Sequence, residues 1–144
     1  MKTNFKHSSK LRVRYGETDQ MGYCYYGNYA QYLEVGRVEA LRSLGMSYKS
    51  LETRGIMLPV SSLTVNYKLP AKYDDLLCIK TTIVELRGPR LLFEYTIEID
   101  GKEIATATTT LVFVGKKDMR PIQAPSDFTA LLKKHEIISS SLPD

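Results

Sequence analysis

The sequence predicts an α+β fold: a curved antiparallel β-sheet wrapped around one long central α-helix. Three observations carry this. Helical periodicity is concentrated in one segment, about residues 28–44. Period-two alternation takes over from Met57 onward. Small residues, Gly36 on the helix and Ala105 and Ala107 on a strand, stand where a sheet could curl closely over that helix. Helical and strand patterns kept apart in this way belong to α+β rather than α/β architectures.

The elements follow in order. Residues 1–9 read as a flexible tip and residues 11–15 as a short strand. A polar loop, Gly16-Glu17-Thr18-Asp19-Gln20-Met21-Gly22, leads toward the helix. Asn28 is suited to cap it by accepting a hydrogen bond from an orphan backbone N–H. Tyr29, Tyr32, Leu33, Gly36, Ala40, Leu41 and Leu44 recur at three- and four-residue steps and form one face, and Gly45 stands at the C-terminal glycine position. Gly36 costs about 1 kcal/mol against alanine inside a helix, so its presence predicts close approach of another backbone. A second helical turn is expected over residues 47–54.

Residues 57–67 read as one strand ended by Pro70, and residues 76–87 as another, broken by Gly88-Pro89. Leu91, Phe93, Tyr95, Ile97 and Ile99 alternate with Leu92, Glu94, Thr96, Glu98 and Asp100, the pattern of a half-buried strand. Asp100-Gly101 is the strongest hairpin signal and returns the chain through residues 102–114. Ser126 is placed to cap a final helix over residues 127–134, with a tail after about residue 135.

At 144 residues the chain fits a single domain with a core of its own. No run approaches the roughly 18 apolar residues of a membrane helix. The N-terminus lacks the apolar segment of a signal peptide, which makes the cytoplasm the expected location. Two cysteines, Cys24 and Cys78, are expected to be free thiols. With histidines only at positions 7 and 135, no metal site is expected. A net charge of +4 is mild, lacks the dense basic stripe of a nucleic-acid platform, and suits a solvated surface or a small polyanion.

Chemistry concentrates between residues 15 and 32. This segment holds six of the ten tyrosines together with Glu17, Asp19 and Cys24, in a loop running into a helix N-terminus. Such an N-terminus presents unpaired N–H groups and partial positive charge, which stabilise a developing oxyanion. A carboxylate in the preceding loop supplies a nucleophile or a general base. The same residues also fit an Asx turn and aromatic packing.

The string Tyr15-Gly16-Glu17-Thr18-Asp19-Gln20-Met21-Gly22, then Tyr25-Tyr26-Gly27-Asn28-Tyr29 and Glu34-Val35-Gly36-Arg37-Val38-Glu39, resembles the signature of the 4-hydroxybenzoyl-CoA thioesterase family. Leu58-Pro59-Val60 and Tyr73-Asp74-Asp75-Leu76 resemble it too, so that the likeness runs from about residue 10 to 128. The resemblance implies a hot-dog fold and hydrolysis of an acyl-coenzyme A thioester. Homodimers or homotetramers with active sites at the dimer interface are implied as well. It puts the catalytic aspartate at Asp19 and the oxyanion-binding amide at or beside Tyr26 and Gly27. Tyr26 stands where many relatives of the bacterial acyl-CoA branch carry histidine, which leaves no imidazole for the chemistry.

Around these, Tyr25, Asn28, Pro59, Val60, Ser61 and Ser62 are expected to contact substrate, with either serine hydroxyl able to hold a water. The resemblance also puts Arg87 and Arg90 near the coenzyme A entrance, often that of the partner subunit, where guanidinium groups suit phosphate; Lys116 and Lys117 are further candidates. Tyr23, Tyr25, Tyr26 and Phe93 could be walls or plugs of an acyl pocket. Glu34 and Arg37 are expected to form an ion pair on the helix. Cys24 as nucleophile would need a base to make thiolate. No separate cofactor is expected, coenzyme A being part of the substrate, and the leaving group could equally be carrier-protein pantetheine. A dehydratase on this fold would need an internal histidine. A non-catalytic acyl-CoA or acyl-carrier-protein binding module would not need Asp19.

Overall fold

Alternation becomes a five-stranded antiparallel sheet in the computed structural model, which describes residues 1–138. Its strands are β1 (Lys2–Arg12), β3 (Val60–Tyr67), β4 (Leu76–Arg87), β5 (Arg90–Ile99) and β6 (Lys102–Val112), in the order β1-β4-β5-β6-β3. A separate pair joins β2 (Ile56–Met57) to β7 (Val114–Gly115). Leu91, Phe93, Tyr95 and Ile97 of β5 are buried on one face. At Asp100-Gly101 both residues take positive φ, 50° and 78°, as a two-residue hairpin with right-handed strand twist requires.

Helix α1 (Tyr29–Leu44) packs its predicted face inward: Tyr29, Tyr32, Leu33, Gly36, Ala40, Leu41 and Leu44 are all buried. Gly36 marks the tightest point. A Cβ there would lie 2.6 Å from Thr81 Oγ1 and 2.8 Å from Ile79 Cγ2, so the close neighbours are β4 side chains rather than backbone. Helix α2 (Tyr48–Thr53) is capped by Ser47, whose side chain accepts from the Ser50 N–H at 3.1 Å. Helix α3 (Ser126–Lys133) closes one end, its Phe128 ring 5.3 Å from Phe113. Each fully buried large side chain, such as Phe93, Leu33 or Ile97, contributes roughly 1.5–3 kcal/mol.

Several local expectations are corrected. The expected tip, residues 1–9, is part of β1, and residues 15–17 form a 3-10 turn instead of ending a strand. The polar residues of β1 hid its alternation. Thr3, Phe5, His7, Ser9 and Leu11 share one face, and Thr3 Oγ1 donates to the Ile83 carbonyl at 2.6 Å. The start of the expected tail is also tied down: Asn4 N–H donates to His135 O and Ile137 N–H to Lys2 O, at 3.1 and 2.8 Å. Residues 139–144 of that tail lie outside the described residues. The strand expected over 57–67 is split because Pro59 has no N–H for a ladder; its carbonyl accepts from Val112 instead. The strand expected over 102–114 ends at Val112, with Val114 crossing to β2. Pro125, not Ser126, occupies the N-cap of α3.

Arg37 and Glu34 form no ion pair. Arg37 is buried and donates from Nε to the Tyr48 hydroxyl at 3.2 Å, whereas Glu34 faces solvent. The helix pair that does form is Glu39–Arg42, at 3.4 Å.

Candidate active site

Residues 15–28 fold into a compact loop held by its own polar groups. The Asp19 N–H donates to Tyr23 O at 2.8 Å, and Asp19 Oδ1 accepts from the Met21 and Tyr23 N–H groups at 2.9 and 3.2 Å. This is an Asx turn, the local role open to an aspartate here. It engages one carboxylate oxygen; Oδ2 accepts nothing from the described residues. The loop is tied to the segment after β3 by the Cys24 N–H, which donates to Ala71 O at 2.7 Å.

The helix start is reached through a 3-10 turn, Tyr26–Asn28. Asn28 does not cap α1 with its side chain. Its Nδ2 donates to Glu17 O at 2.7 Å, which binds the turn back to the loop. Among the described residues, the Tyr26 and Gly27 N–H groups donate to no acceptor. The Tyr25 ring lies over Gly27, where a Cβ would come within 2.6 Å of Tyr25 Cε2. A larger residue at 27 would displace that ring.

Asp19 and Tyr26 line one cleft of about 310 Å³, with Tyr29, Tyr67, Leu69 and Pro70. The Tyr67 hydroxyl donates to Tyr26 O at 3.0 Å, and its ring meets Tyr29 edge-on at 4.9 Å. Burial pushes the Tyr29 phenol up to about 12, so it stays a neutral wall at ordinary pH. Met21 and Tyr23 stand at the rim, and Lys68 is ion-paired with Glu103. A thioester carbonyl seated at the Tyr26–Gly27 turn would meet unpaired donors, with a carboxylate in the same cleft.

Cys24 is buried in this wall, its Sγ 3.2 Å from the Tyr32 hydroxyl. Burial pushes its thiol up, and the charges of Glu17 and Asp19 push it the same way, which works against thiolate formation at Cys24. Beneath it lies Glu17, also buried. Desolvation alone would raise that carboxyl. Hydrogen bonds from the Arg14 side chain, the Arg14 N–H and the Tyr32 hydroxyl, with the Arg14 charge, outweigh it and hold Glu17 below the usual carboxylate range.

The remaining expected residues are elsewhere. Pro59, Val60, Ser61 and Ser62 lie at the far end of β3 from Tyr67, about 20 Å away by strand rise. Ser61 Oγ donates to Thr110 O at 3.1 Å. Arg87 and Arg90 flank the β4–β5 turn at that same end, Arg90 facing Val112 across the ladder and Arg87 paired with Glu85. Lys116 and Lys117 follow β7 in an exposed turn. None of these lines the Asp19 cleft within one chain, and Phe93 belongs to the core. Tyr67 to Pro70 is the part of the cleft for which no site residue was expected. Its only local signal was an aromatic residue at a strand end just before a proline.

Comparison with known proteins gives a consistent picture. A family model described as the thioesterase-like superfamily matches residues 13–132. The Bacillus subtilis protein provisionally named acyl-CoA thioesterase YneP is 36% identical over 120 residues, covering 81% of this chain and 87% of that one. Acyl-CoA thioesterase YbgC of Haemophilus influenzae is 32% identical over 124 residues, covering 85% and 91%. Among solved structures, a DHNA-CoA thioesterase from Staphylococcus aureus superposes with a TM-score of 0.87 at 32% identity, over 90% of this chain and 89% of that one.

Proposed function

The chain belongs to the thioesterase-like superfamily, with the hot-dog fold; from that premise we propose that it hydrolyses acyl-CoA thioesters and that Asp19 and the Tyr26–Gly27 turn perform the hydrolysis. One observation carries the residue assignment. A half-buried carboxylate, one of whose oxygens accepts no hydrogen bond from the described residues, lines the same cleft as Tyr26, which opens the helix-start turn whose Tyr26 and Gly27 N–H groups find no acceptor among those residues. The thioester carbonyl oxygen sits at the turn, which stabilises the negative charge it gains as the carbon becomes tetrahedral. Asp19 Oδ2 either takes a proton from the attacking water or attacks the carbon itself. In both routes the C–S bond breaks and the sulfur leaves as the coenzyme A thiolate.

We further propose that the site is completed across a dimer. Strand β3 is an edge strand paired only with β6, and Val60, Leu63 and Tyr67 on it are exposed. An uncovered strand of this kind is an open template for another. Two copies pairing β3 antiparallel about a two-fold axis bring opposite strand ends together. Ser61 and Ser62 of the partner subunit then approach the Asp19 cleft, with Arg87 and Arg90 of the partner subunit farther out. This gives the serines and arginines the place beside the site that they lack within one chain. Light scattering is expected to return two or four times the chain mass of 16.4 kDa. A fully active species of single mass would remove the shared site.

The activity is tested by thiol release from a panel of aryl, short-chain and long-chain acyl-CoA esters and from acyl-carrier-protein thioesters. Turnover of at least one acyl-CoA ester is expected, and the ranking reads out the acyl preference. Binding without turnover of any of them, by folded protein, would turn the reading to a binding module.

A further inference from the structure

Glu17 is fastened to three parts of the molecule at once. Its Oε1 accepts from the Arg14 N–H at 2.8 Å and from the Tyr32 hydroxyl of α1 at 2.9 Å. Its Oε2 accepts from Arg14 Nη2 at 2.9 Å and Nε at 3.3 Å. Its carbonyl accepts from the Tyr25 N–H at 2.8 Å and from Asn28 Nδ2 at 2.7 Å. The side chain therefore grips the loop base and the helix, and the main chain grips the turn that presents the Tyr26 and Gly27 amides. Asp19 is only two residues further along.

A buried carboxylate is a costly way to hold a loop, because desolvation offsets much of what its hydrogen bonds return, and apolar packing often does as well. What a multiply bonded carboxylate adds is a fixed position. That matters where a displacement of 1 Å can cost about 10²-fold in rate.

We propose that Glu17 is a positioning residue that sets the placement of the Asp19 carboxylate relative to the Tyr26 and Gly27 amides, with Arg14, Tyr32 and Asn28 as its partners. This rests on the reading of Asp19 as the catalytic carboxylate. Glu17 touches no substrate; it acts through the two groups that do. Glutamine at this position keeps an acceptor for the Tyr32 hydroxyl but turns an amide N–H₂ toward the Arg14 donors, loosening the grip without emptying the space.

The test is a double-mutant cycle of Glu17→Gln and Asp19→Asn, reading kcat, KM and the thermal midpoint of all four proteins. In the wild-type background Glu17→Gln is expected to lower kcat by about 10- to 100-fold with KM within about threefold. In the Asp19→Asn background the same change is expected to cost less than about threefold, because the group being positioned is already gone. A purely structural role would lower both backgrounds by the same factor, and that outcome overturns the proposal, as does wild-type kcat in folded Glu17→Gln. If Glu17→Gln fails to melt cooperatively, Asn28→Ala takes its place in the cycle. It removes the tie to the Glu17 carbonyl while leaving the bonds of the Glu17 side chain in place, and the same non-additivity is required of it. Wild-type rate in Asp19→Asn alone removes the Asp19 assignment and this proposal together, and is seen before any Glu17 variant is read.

Discussion

Asp19→Asn is expected to lower kcat for thioester hydrolysis by about 10²- to 10⁴-fold, the range for loss of a positioned general base. Asparagine is the discriminating substitution because of what it preserves. Its side-chain oxygen can still accept from the Met21 and Tyr23 N–H groups, so the Asx turn survives. An aspartate whose work is only to form that turn would be replaced at little cost, and a kcat within about threefold of wild type would remove Asp19 from the chemistry. Alanine would confuse the two roles by deleting the turn together with the carboxylate. Steady-state thiol release against acyl-CoA concentration, with thermal melting of both proteins, makes the distinction. The wild-type protein tests the covalent route. After a single turnover in ¹⁸O-labelled water, label in the Asp19 carboxylate marks a covalent anhydride opened by water at the aspartyl carbon.

Gly36→Val is expected to produce the largest stability loss of any single added side chain in α1, about 3 kcal/mol. The site lacks room even for a Cβ, which would stand 2.6 Å from Thr81 Oγ1 and 2.8 Å from Ile79 Cγ2. Both neighbours are short β-branched side chains on a central strand, so neither can swing aside as a long flexible chain would. Valine adds two further methyl groups to the overlap. Gly36→Ala sets two effects against each other. Helix propensity returns about 1 kcal/mol, while the overlap forces α1 away from β4. The overlap is expected to win by roughly 1 kcal/mol, since close-packed interiors yield little. Urea unfolding midpoints check both variants, and an unchanged midpoint for valine would contradict the close approach of helix and sheet.

What could be read from sequence was whatever is local and repeats. The inward face of α1 announces itself in every turn, and β5 announces itself by strict alternation from Leu91 to Ile97. The Asp100-Gly101 turn is decided by two residues that tolerate positive φ. Asp19 and the helix-start turn are less than ten residues apart, so their shared cleft was foreseeable. What escaped was decided by distant partners. Strand β1 is too polar to look like a strand, and its ladder comes from β4, from 83 positions on at Lys2 to 64 at Arg12. Arg37 is three residues from Glu34, but the Tyr48 hydroxyl lies closer in space and is shielded from water. Tyr67 and Leu69 become walls of the cleft only because the end of β3 folds back against the Asp19 loop. Nothing within a ten-residue window encodes that meeting.

The walls of the cleft differ from its floor in how freely they can vary by descent. Met21, Tyr23, Tyr26 and Leu69 are exposed, and exchanges at such surface positions usually alter stability by no more than about 0.5 kcal/mol. Tyr29 and Cys24, by contrast, are part of the packed interior. Glu17 is buried beneath the loop, and Gly36 has no spare volume. A lineage carrying this fold can therefore exchange the exposed lining of the proposed site while the buried parts beneath it stay unchanged. If that cleft is the site we propose, foldability and substrate range are inherited on separate sets of positions, so the second can drift without endangering the first.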